Sequence, residues 1–191
     1  MEWVLASQSP RRRELLSRLG VPFRIQVAHT DEVSLATLPE EVAQDLSRQK
    51  ALAVREQEPD ALIIAADTIV VLDGEVLNKP VDREENRGFL SRLQGREHQV
   101  MTGVTISTPE SVFSGVEITR VKFRELTQQE IDWYVRSGEG LDKAGGYGIQ
   151  ELGALLIEGI HGDYFNVVGL PLVRLLMVSR AAGVPLLGEH V

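Results

Sequence analysis

One short apolar run in the middle of the chain constrains the fold more than any other feature. Residues 61–66 read Ala-Leu-Ile-Ile-Ala-Ala and lie between Asp60 and Asp67. An uninterrupted apolar segment of this length, partly β-branched, is typical of a strand that is buried on both faces, because a half-exposed strand would alternate polar and apolar residues. The run therefore predicts a central strand that ends at Asp67 and Thr68.

The segments around this strand alternate between strand and helix patterns. Asp73-Gly74 is typical of a two-residue hairpin turn, and Ser9-Pro10 of the start of a helix. Further strands are predicted at 4–6, 23–27, 69–72, 75–77, 98–108, 112–124 and 155–160, and helices at 10–19, 40–57, 82–93, 128–136 and 170–182. Interleaved helices and strands predict a mixed α/β fold, a twisted sheet flanked by helices, in a single domain of residues 1–191.

Composition limits the functions that this chain can perform. It has no cysteine, so disulfides, thiolate metal sites and cysteine nucleophiles are excluded. Its net charge of −8 argues against nucleic acid and anionic membranes as partners, and a polyanionic ligand would need a local basic cluster or a metal ion. The amino terminus does not resemble a signal peptide, and no apolar run approaches the roughly 20 residues of a membrane helix. We therefore expect a cytoplasmic protein.

The first candidate site lies where the first strand gives way to a helix. Ser7 and Ser9 supply hydroxyl groups, and Arg11, Arg12 and Arg13 follow in the first helical turn. Helix N-termini and guanidinium groups both bind phosphate, although successive helical residues diverge by about 100°, so all three arginines cannot face one ligand. An ordinary capped helix with solvated arginines is the alternative interpretation.

Two carboxylates are candidates for metal binding or for work on a water molecule. Asp67 follows the predicted central strand, and ligands of open α/β sheets gather beyond the carboxyl ends of strands. Glu32, beside Asp31 in a polar segment, would add a second metal ligand. A turn-capping aspartate and a solvated acidic pair are the respective alternatives.

Two lysines are candidates for phosphate contacts. At helical spacing Lys50 shares an arc with Val42, Leu46 and Ala53, where an apolar residue is expected. Its ammonium group can either extend to solvent or reach a phosphate at the edge of the core. Lys79 follows the predicted hairpin and precedes a proline, and a plain surface lysine is the alternative there.

A glycine-rich segment at residues 142–150 ends in Gln150. Its small residues permit close approach of the backbone, Tyr147 offers a ring and a hydroxyl group, and the Gln150 amide can pair with a nucleobase edge. A long surface loop is the alternative interpretation.

Taken together, five segments resemble the Maf family of nucleoside triphosphate pyrophosphatases, whose wider relatives are the inosine triphosphate pyrophosphatases. The segments are residues 6–12, 65–68, 74–80, 142–150 and 166–171. The chain departs from the family pattern at Gly146, where alanine is expected, and at Asn78, where an acidic residue is frequent. The resemblance implies a mixed sheet flanked by helices, with a cleft between two lobes.

The resemblance also implies an activity and a set of site residues. The activity is hydrolysis of dTTP or UTP to the monophosphate and pyrophosphate, a house-cleaning reaction of the nucleotide pool that depends on Mg²⁺ or Mn²⁺. Asp67 carries over as the catalytic carboxylate and, with Glu32, as a metal ligand. The triphosphate contacts carry over to Ser7, Ser9, Arg11, Lys50 and Lys79. Substrate preference carries over to Arg11, Thr68 and Gln150, and the nucleotide is the expected partner, with a homodimer left open.

Two rival functions remain at this point. A nucleotidyltransferase also holds a triphosphate with a strand, a Ser/Arg loop and a helix, but it releases pyrophosphate only when an acceptor is present. A nucleotide-sensing regulator, in a family linked to septum formation and arrest of cell division, would bind nucleotide without rapid hydrolysis.

Overall fold

The computed structural model describes residues 1–27 and 29–187. The strands in these residues are β1 (Trp3–Leu5), β2 (Phe23–Ile25), β3 (Leu62–Leu72), β4 (Glu75–Leu77), β5 (Glu97–Ser107), β6 (Val112–Phe123) and β7 (Ile157–His161). The helices are α1 (Pro10–Ser17), α2 (Pro39–Arg55), α3 (Arg83–Leu93), α4 (Gln128–Ser137), α5 (Tyr164–Val168) and α6 (Leu172–Ala181). Short 3₁₀ helices lie at Glu139–Asp142, Ala144–Gly146 and Leu152–Leu156.

The strands form one mixed sheet. Its order is β2-β1-β3-β5-β6-β7, and β4 pairs with β3 outside this path. β1 runs parallel to both β2 and β3, with Trp3 opposite Phe23 on one side and Leu62 on the other. β4 is antiparallel to β3, and β7 is antiparallel to β6. Parallel and antiparallel pairs in one sheet confirm the mixed α/β class.

The chain divides into two compact units, each assembled from separate segments. The first unit contains Met1–Asp67, Thr102–Glu117 and the chain from Gly169 onward, and the second contains Thr68–Met101 and Ile118–Val168. Each unit has its own cluster of buried apolar side chains. In the first these include Val4, Val54 and Ile63, and in the second they include Leu90, Phe123, Tyr134 and Leu156.

Local signals in the sequence explain where several helices begin and end. Ser9 caps α1 by accepting a hydrogen bond from the Arg12 amide, Pro10 occupies the first turn, and Gly20 follows the helix with a φ of 69°. α4 begins with a capping box, in which Thr127 and Glu130 each accept a hydrogen bond from the other's backbone amide.

α2 packs tightly against β5 within the first unit. Its buried residues are Ala43, Ser47, Ala51 and Val54, spaced three or four apart as one helical face requires. A Cβ atom placed on Gly103 of β5 would lie 2.0 Å from the carbonyl oxygen of Ala43. Only glycine allows the helix backbone to approach the strand this closely.

The structure corrects the predicted end of the central strand. β3 continues through Asp67 and Thr68 to Leu72, so what the sequence divided into two strands is one strand of 11 residues. A carboxylate interrupts the apolar pattern without ending the strand, and Lys50 pairs with that carboxylate. The structure also adds α5, a five-residue helix that the sequence did not predict.

Among residues 1–27 and 29–187, no helix combines the length and the apolar character needed to cross a bilayer.

Candidate functional site

The centre of the candidate site is a lysine placed between two carboxylates in the first unit. The Lys50 ammonium donates a hydrogen bond to Oδ1 of Asp67, and its Nζ atom lies 3.4 Å from Oε1 of Glu32. The side chains of Lys50 and Asp67 are 18% and 11% exposed, whereas that of Glu32 is 53% exposed. The arrangement brings together three residues that were predicted to act at one site.

Secondary structure explains why these three side chains meet. Lys50 precedes Ala51 on α2, at the border of the buried face of that helix. Asp67 lies on β3, which is buried along nearly its whole length. Glu32 precedes α2 and has a φ of 44°, a left-handed conformation that is uncommon for a residue with a side chain. Such backbone conformations cluster at functional sites, where the surroundings hold them in place.

Arg12 adds a second cation to this group. Its Nε donates to the carbonyl oxygen of Gly169 at 2.7 Å, and one terminal nitrogen donates to Oγ of Ser7 at 3.5 Å. Burial lowers the pKa of Arg12, and the carboxylates of Asp67 and Glu32 partly offset that effect. The guanidinium group of Arg12 is therefore within electrostatic range of both predicted metal ligands.

The hydroxyl groups of the first loop hold the backbone in this region. Oγ of Ser7 accepts a hydrogen bond from the Ser9 amide at 3.2 Å, and Ser9 caps α1. Arg11 is half-buried in the first turn of the same helix. The structure therefore places Ser7, Ser9 and Arg11 in the first unit, as it does Lys50 and Asp67.

Arg11 is a predicted site residue, whereas Arg12 has no predicted role. A signal for Arg12 was present, because it precedes Leu15 by three residues and Leu16 by four, and both leucines are buried. Residues at those spacings share one helix face, and Arg12 is the arginine of the three that shares it with both leucines, whereas Arg11 is so spaced from Leu15 alone and Arg13 from Leu16 alone.

The remaining predicted residues belong to the second unit. Thr68 is half-buried on β3, whereas Lys79 and Gln150 are exposed. The carbonyl oxygen of Asn78 accepts a hydrogen bond from the Gly145 amide at 3.1 Å, which ties the segment before Lys79 to the glycine-rich segment before Gln150.

Tyr147 does not present its ring to solvent, contrary to the sequence-based interpretation. It is buried, and its hydroxyl group lies 2.6 Å from Nε2 of His98. The ring meets those of His98 and Phe123 edge to face, at centroid distances of 5.4 Å and 4.7 Å. Burial raises the pKa of Tyr147 and lowers that of His98 to about 4, so both groups are neutral at pH 7. Tyr147 anchors the glycine-rich segment to the core.

Glu139 fixes the two flanks of the same segment. Its carboxylate accepts hydrogen bonds from the Tyr134 hydroxyl and from the amides of Leu152 and Gly153, each at 3.0 Å. The Tyr134 hydroxyl in turn accepts from the Gly148 amide at 3.2 Å. Hydrogen bonds to a charged acceptor are stronger than neutral ones, so the segment is tied down on both sides of Gln150.

The part of the chain that the structure describes offers two candidate metal ligands rather than a set of three or more. No group of three or more histidine, cysteine, aspartate or glutamate residues is close enough to hold an ion there. The carboxylates of Glu32 and Asp67, the two predicted metal ligands, both face the Lys50 ammonium.

Comparisons with known proteins give the family. The family model for Maf-like proteins matches residues 2–181. A dTTP/UTP pyrophosphatase of Deinococcus radiodurans is 54% identical over 185 residues, which cover 97% of this chain and 95% of that protein. Proteins of the same name from Thermus thermophilus and Pyrococcus abyssi are 51% and 50% identical, over 94% and 88% of this chain and 94% and 90% of their own.

A solved structure supports the fold alone. Protein VC0702 from Vibrio cholerae matches with a TM-score of 0.51 at 9% identity, and the match covers 96% of this chain and 98% of that one. The match of the family model along most of the chain and the high identity of the relatives agree with the motifs and the mixed sheet. The chain belongs to the Maf-like protein family.

Proposed function

We propose that this protein is a nucleoside triphosphate pyrophosphatase that hydrolyses dTTP and UTP to the monophosphate and pyrophosphate. Relatives that are 50–54% identical over 88–97% of this chain carry the name dTTP/UTP pyrophosphatase. The structural observation that carries the proposal is the cluster formed by Lys50, Asp67 and Glu32 beside Arg12. It combines cations for a polyphosphate with carboxylates that can hold a metal ion and a water molecule.

The cationic side chains would bind the triphosphate. Arg12 and Lys50 are placed around the carboxylates, and the hydroxyls of Ser7 and Ser9 lie at the amino terminus of α1. We assign further contacts to Arg11 and Lys79. Guanidinium and ammonium groups that are already oriented stabilise the charge that develops as the phosphoanhydride bond breaks.

Asp67 would act on the attacking water. Its carboxylate can accept a hydrogen bond from water, orient it toward the α-phosphorus and take up its proton. The Lys50 ammonium donates a hydrogen bond to the Asp67 carboxylate and holds it in place.

The residues present fit a hard divalent cation such as Mg²⁺ or Mn²⁺. Glu32 and Asp67 both approach the same ammonium group, so their oxygens converge on one cationic position. Two carboxylates together with substrate phosphates form the usual ligand set for Mg²⁺. When bound, the cation would neutralise phosphate charge and lower the pKa of a coordinated water.

Selectivity for uracil and thymine would come from Thr68, Gln150 and Arg11. Both bases present a carbonyl, an N–H group and a second carbonyl along one edge, which an amide side chain and backbone groups can match. Cytosine reverses part of this pattern and would leave a polar group unpaired, at a cost of about 1–3 kcal/mol. Because nucleoside triphosphates are cytoplasmic metabolites, we also propose a cytoplasmic location.

A nucleotide panel tests this proposal. Release of pyrophosphate from dTTP, UTP, CTP, GTP, ITP and 7-methyl-GTP would be measured without any acceptor, in Mg²⁺, in Mn²⁺ and after exhaustive chelation. We expect kcat/KM for dTTP and UTP to exceed that for CTP by about tenfold or more, and chelation to abolish turnover. Preference for a guanine nucleotide or ITP would refute the selectivity, undiminished turnover without metal would refute the metal requirement, and dependence on an acceptor would indicate a transferase.

A further inference from the structure

A buried side chain on α3 lies directly against Gly146 of the glycine-rich segment. Asn86 is fully buried, and its Nδ2 donates a hydrogen bond to the carbonyl oxygen of Gly146 at 2.7 Å. A Cβ atom placed on Gly146 would lie 2.2 Å from the same Nδ2. The amide group of Asn86 therefore occupies the space that the methyl group of an alanine at position 146 would need.

The carbonyl group of Gly146 is enclosed on a second side as well. A Cβ atom on Gly140 would lie 2.0 Å from the Gly146 oxygen, so the backbone at Gly140 approaches it directly. The peptide is thus held between the Asn86 side chain and the Gly140 backbone. It has little freedom to rotate or to move outward.

Asparagine is an unfavourable residue for this buried position unless the bond to Gly146 compensates. Its Oδ1 has no hydrogen-bond partner among residues 1–27 and 29–187. A buried polar atom without a partner destabilises the folded state, so a purely space-filling role would favour an apolar side chain. The hydrogen bond from the Asn86 side chain to the Gly146 carbonyl oxygen offsets the cost of burying this amide.

The position of Gly146 connects this bond to substrate selection. Gly146 precedes Tyr147, the buried anchor of the glycine-rich segment, and lies four residues before Gln150. Gly145 is fixed separately, because its amide donates a hydrogen bond to the carbonyl oxygen of Asn78. Asn86 has no exposed surface, so it cannot touch a ligand and can act only through the backbone.

We propose that Asn86 is a positioning residue that sets the nucleobase preference by holding the peptide of Gly146, and that residues 86 and 146 are coupled. This inference rests on the proposed function insofar as it assigns residues 142–150 to the nucleobase. It adds that the asparagine at position 86 strengthens the requirement for glycine at position 146, and that removing the asparagine relieves part of that requirement.

A double-mutant cycle tests the coupling. The variants are Asn86→Ala, Gly146→Ala and the double variant, and the thermal midpoint is measured for each. Both single changes should lower the midpoint, the first by removing the bond to the Gly146 carbonyl and the second through the clash with Nδ2. The double variant should be more stable than Gly146→Ala alone, although the φ of 77° at position 146 still disfavours alanine.

The neighbouring glycine provides a matched control. Gly145 has a similar φ of 70°, but a Cβ atom there would lie 2.8 Å from the Val70 side chain rather than near Asn86. Gly145→Ala should therefore be destabilising, and adding Asn86→Ala should not relieve it. Equal relief at both glycines, or strictly additive effects at position 146, would overturn the coupling.

Binding measurements separate positioning from a merely structural role. Calorimetric affinities for α,β-imido analogues of dUTP and dCTP would be compared across the cycle, at a temperature where every variant is folded. Each single change should reduce the preference for the uracil analogue by about tenfold, and the double variant should regain part of it. An unchanged preference in variants with lowered midpoints would overturn the positioning role.

The same measurements distinguish this inference from the proposed function. A wild-type protein that binds the uracil analogue selectively, yet does not hydrolyse dTTP or UTP, would refute the pyrophosphatase and leave the inference standing. A wild-type protein without preference between the two analogues would overturn the inference, whatever its turnover.

Discussion

At the residue scale, the ion pair of Lys50 and Asp67 sets the chemical character of the first unit. Both side chains are largely removed from water, where a lone charge would be strongly destabilising. The pair also keeps a carboxylate inside a strand that is otherwise apolar. A charge held in this way is costly to maintain and is therefore typical of a functional position.

Asp67→Asn tests the role of that carboxylate. The amide nearly preserves the shape of the side chain but removes its charge and basicity, so turnover of dTTP should fall by roughly a hundredfold or more. Asp73→Asn is a suitable control, because Asp73 is an exposed turn residue and asparagine tolerates its left-handed φ of 53°. Near-normal turnover of Asp67→Asn, with a cooperative melt, would make Asp67 a structural residue.

His98 gives a prediction for the pH dependence of stability. Burial lowers its pKa from 6.5 to about 4, so the folded state disfavours the protonated imidazole. Its contribution is fully present above pH 6.5, and it is lost as the pH falls from 6.5 towards 4, because the unfolded chain takes up the proton first. The loss should amount to about 3 kcal/mol at most.

Two measurements check this prediction. NMR titration of the His98 ring should give an apparent pKa near 4. The free energy of unfolding of His98→Gln should also depend less on pH between 7 and 4 than that of the wild type. Parallel stability curves for the two proteins would contradict the assignment, because the carboxylates that titrate in the same range are common to both.

The sequence predicted several site residues individually, for identifiable reasons. Lys50 stood out because a charge interrupted an apolar arc, and the structure pairs it with Asp67 and Glu32 as expected of one site. The face of α2 that is actually buried runs through Ala43 and Ala51. The arc predicted to be apolar, which contains Lys50, lies beside that face. Roles in catalysis, metal binding and substrate preference remain predictions for every one of these residues.

At the element scale, the sequence predicted element types better than their limits. Ser9-Pro10 and Asp73-Gly74 carry their signals locally, so the start of α1 and the turn between β3 and β4 could be predicted. The continuation of β3 through Asp67 could not, because a charged residue after an apolar run also suits a strand end, and the lysine that pairs with Asp67 lies 17 residues away in the sequence. Likewise, the partners of Gly146 and of Tyr147 lie on distant segments, and no local pattern reveals them.

Substitutions at two glycines distinguish the effect of close packing on stability from the effect of helix propensity. Gly103→Ala would drive a methyl group into the backbone of α2 at Ala43, which cannot move aside as a flexible side chain could. We expect the free energy of unfolding to fall by about 2–4 kcal/mol. Gly88 lies on the exposed face of α3, and a Cβ atom added there would meet no atom of another element within 4 Å. Gly88→Ala should therefore raise the free energy of unfolding by about 0.5–1 kcal/mol.

Chemical denaturation of both variants measures these effects. Unfolding curves followed by circular dichroism should move in opposite directions for the two substitutions. A Gly103→Ala protein with wild-type stability would show that α2 does not press against β5 in solution.

At the scale of the whole molecule, the two units are discontinuous in sequence. β3, β5 and β6 each begin in one unit and end in the other. Neither unit can therefore be obtained as one uninterrupted piece of the chain. If one unit unfolded while the other stayed folded, the backbone hydrogen bonds of these three strands would have to break along only part of each strand.

We expect the two units to unfold in a single transition, and the tryptophans can test this. The chain has two, Trp3 in the first unit and Trp133 in the second. In Trp3→Phe the fluorescence reports on Trp133, and in Trp133→Phe it reports on Trp3. In each variant the midpoint by fluorescence should equal the midpoint by circular dichroism. A fluorescence transition of Trp133 that precedes the loss of secondary structure would demonstrate independent unfolding.

The boundary between the units falls at the peptide bond that joins Asp67 to Thr68. Under the proposed roles, the residues that act on water and the cation lie before this bond. Of the three residues proposed to select the base, Arg11 also lies before it, whereas Thr68 and Gln150 lie in the unit that begins after it. Substitutions confined to the second unit can then redirect base choice while the hydrolytic residues stay untouched. Such a partition makes the scaffold evolvable, because one hydrolytic apparatus can be inherited unchanged while successive lineages, or a directed library, explore new nucleotide targets.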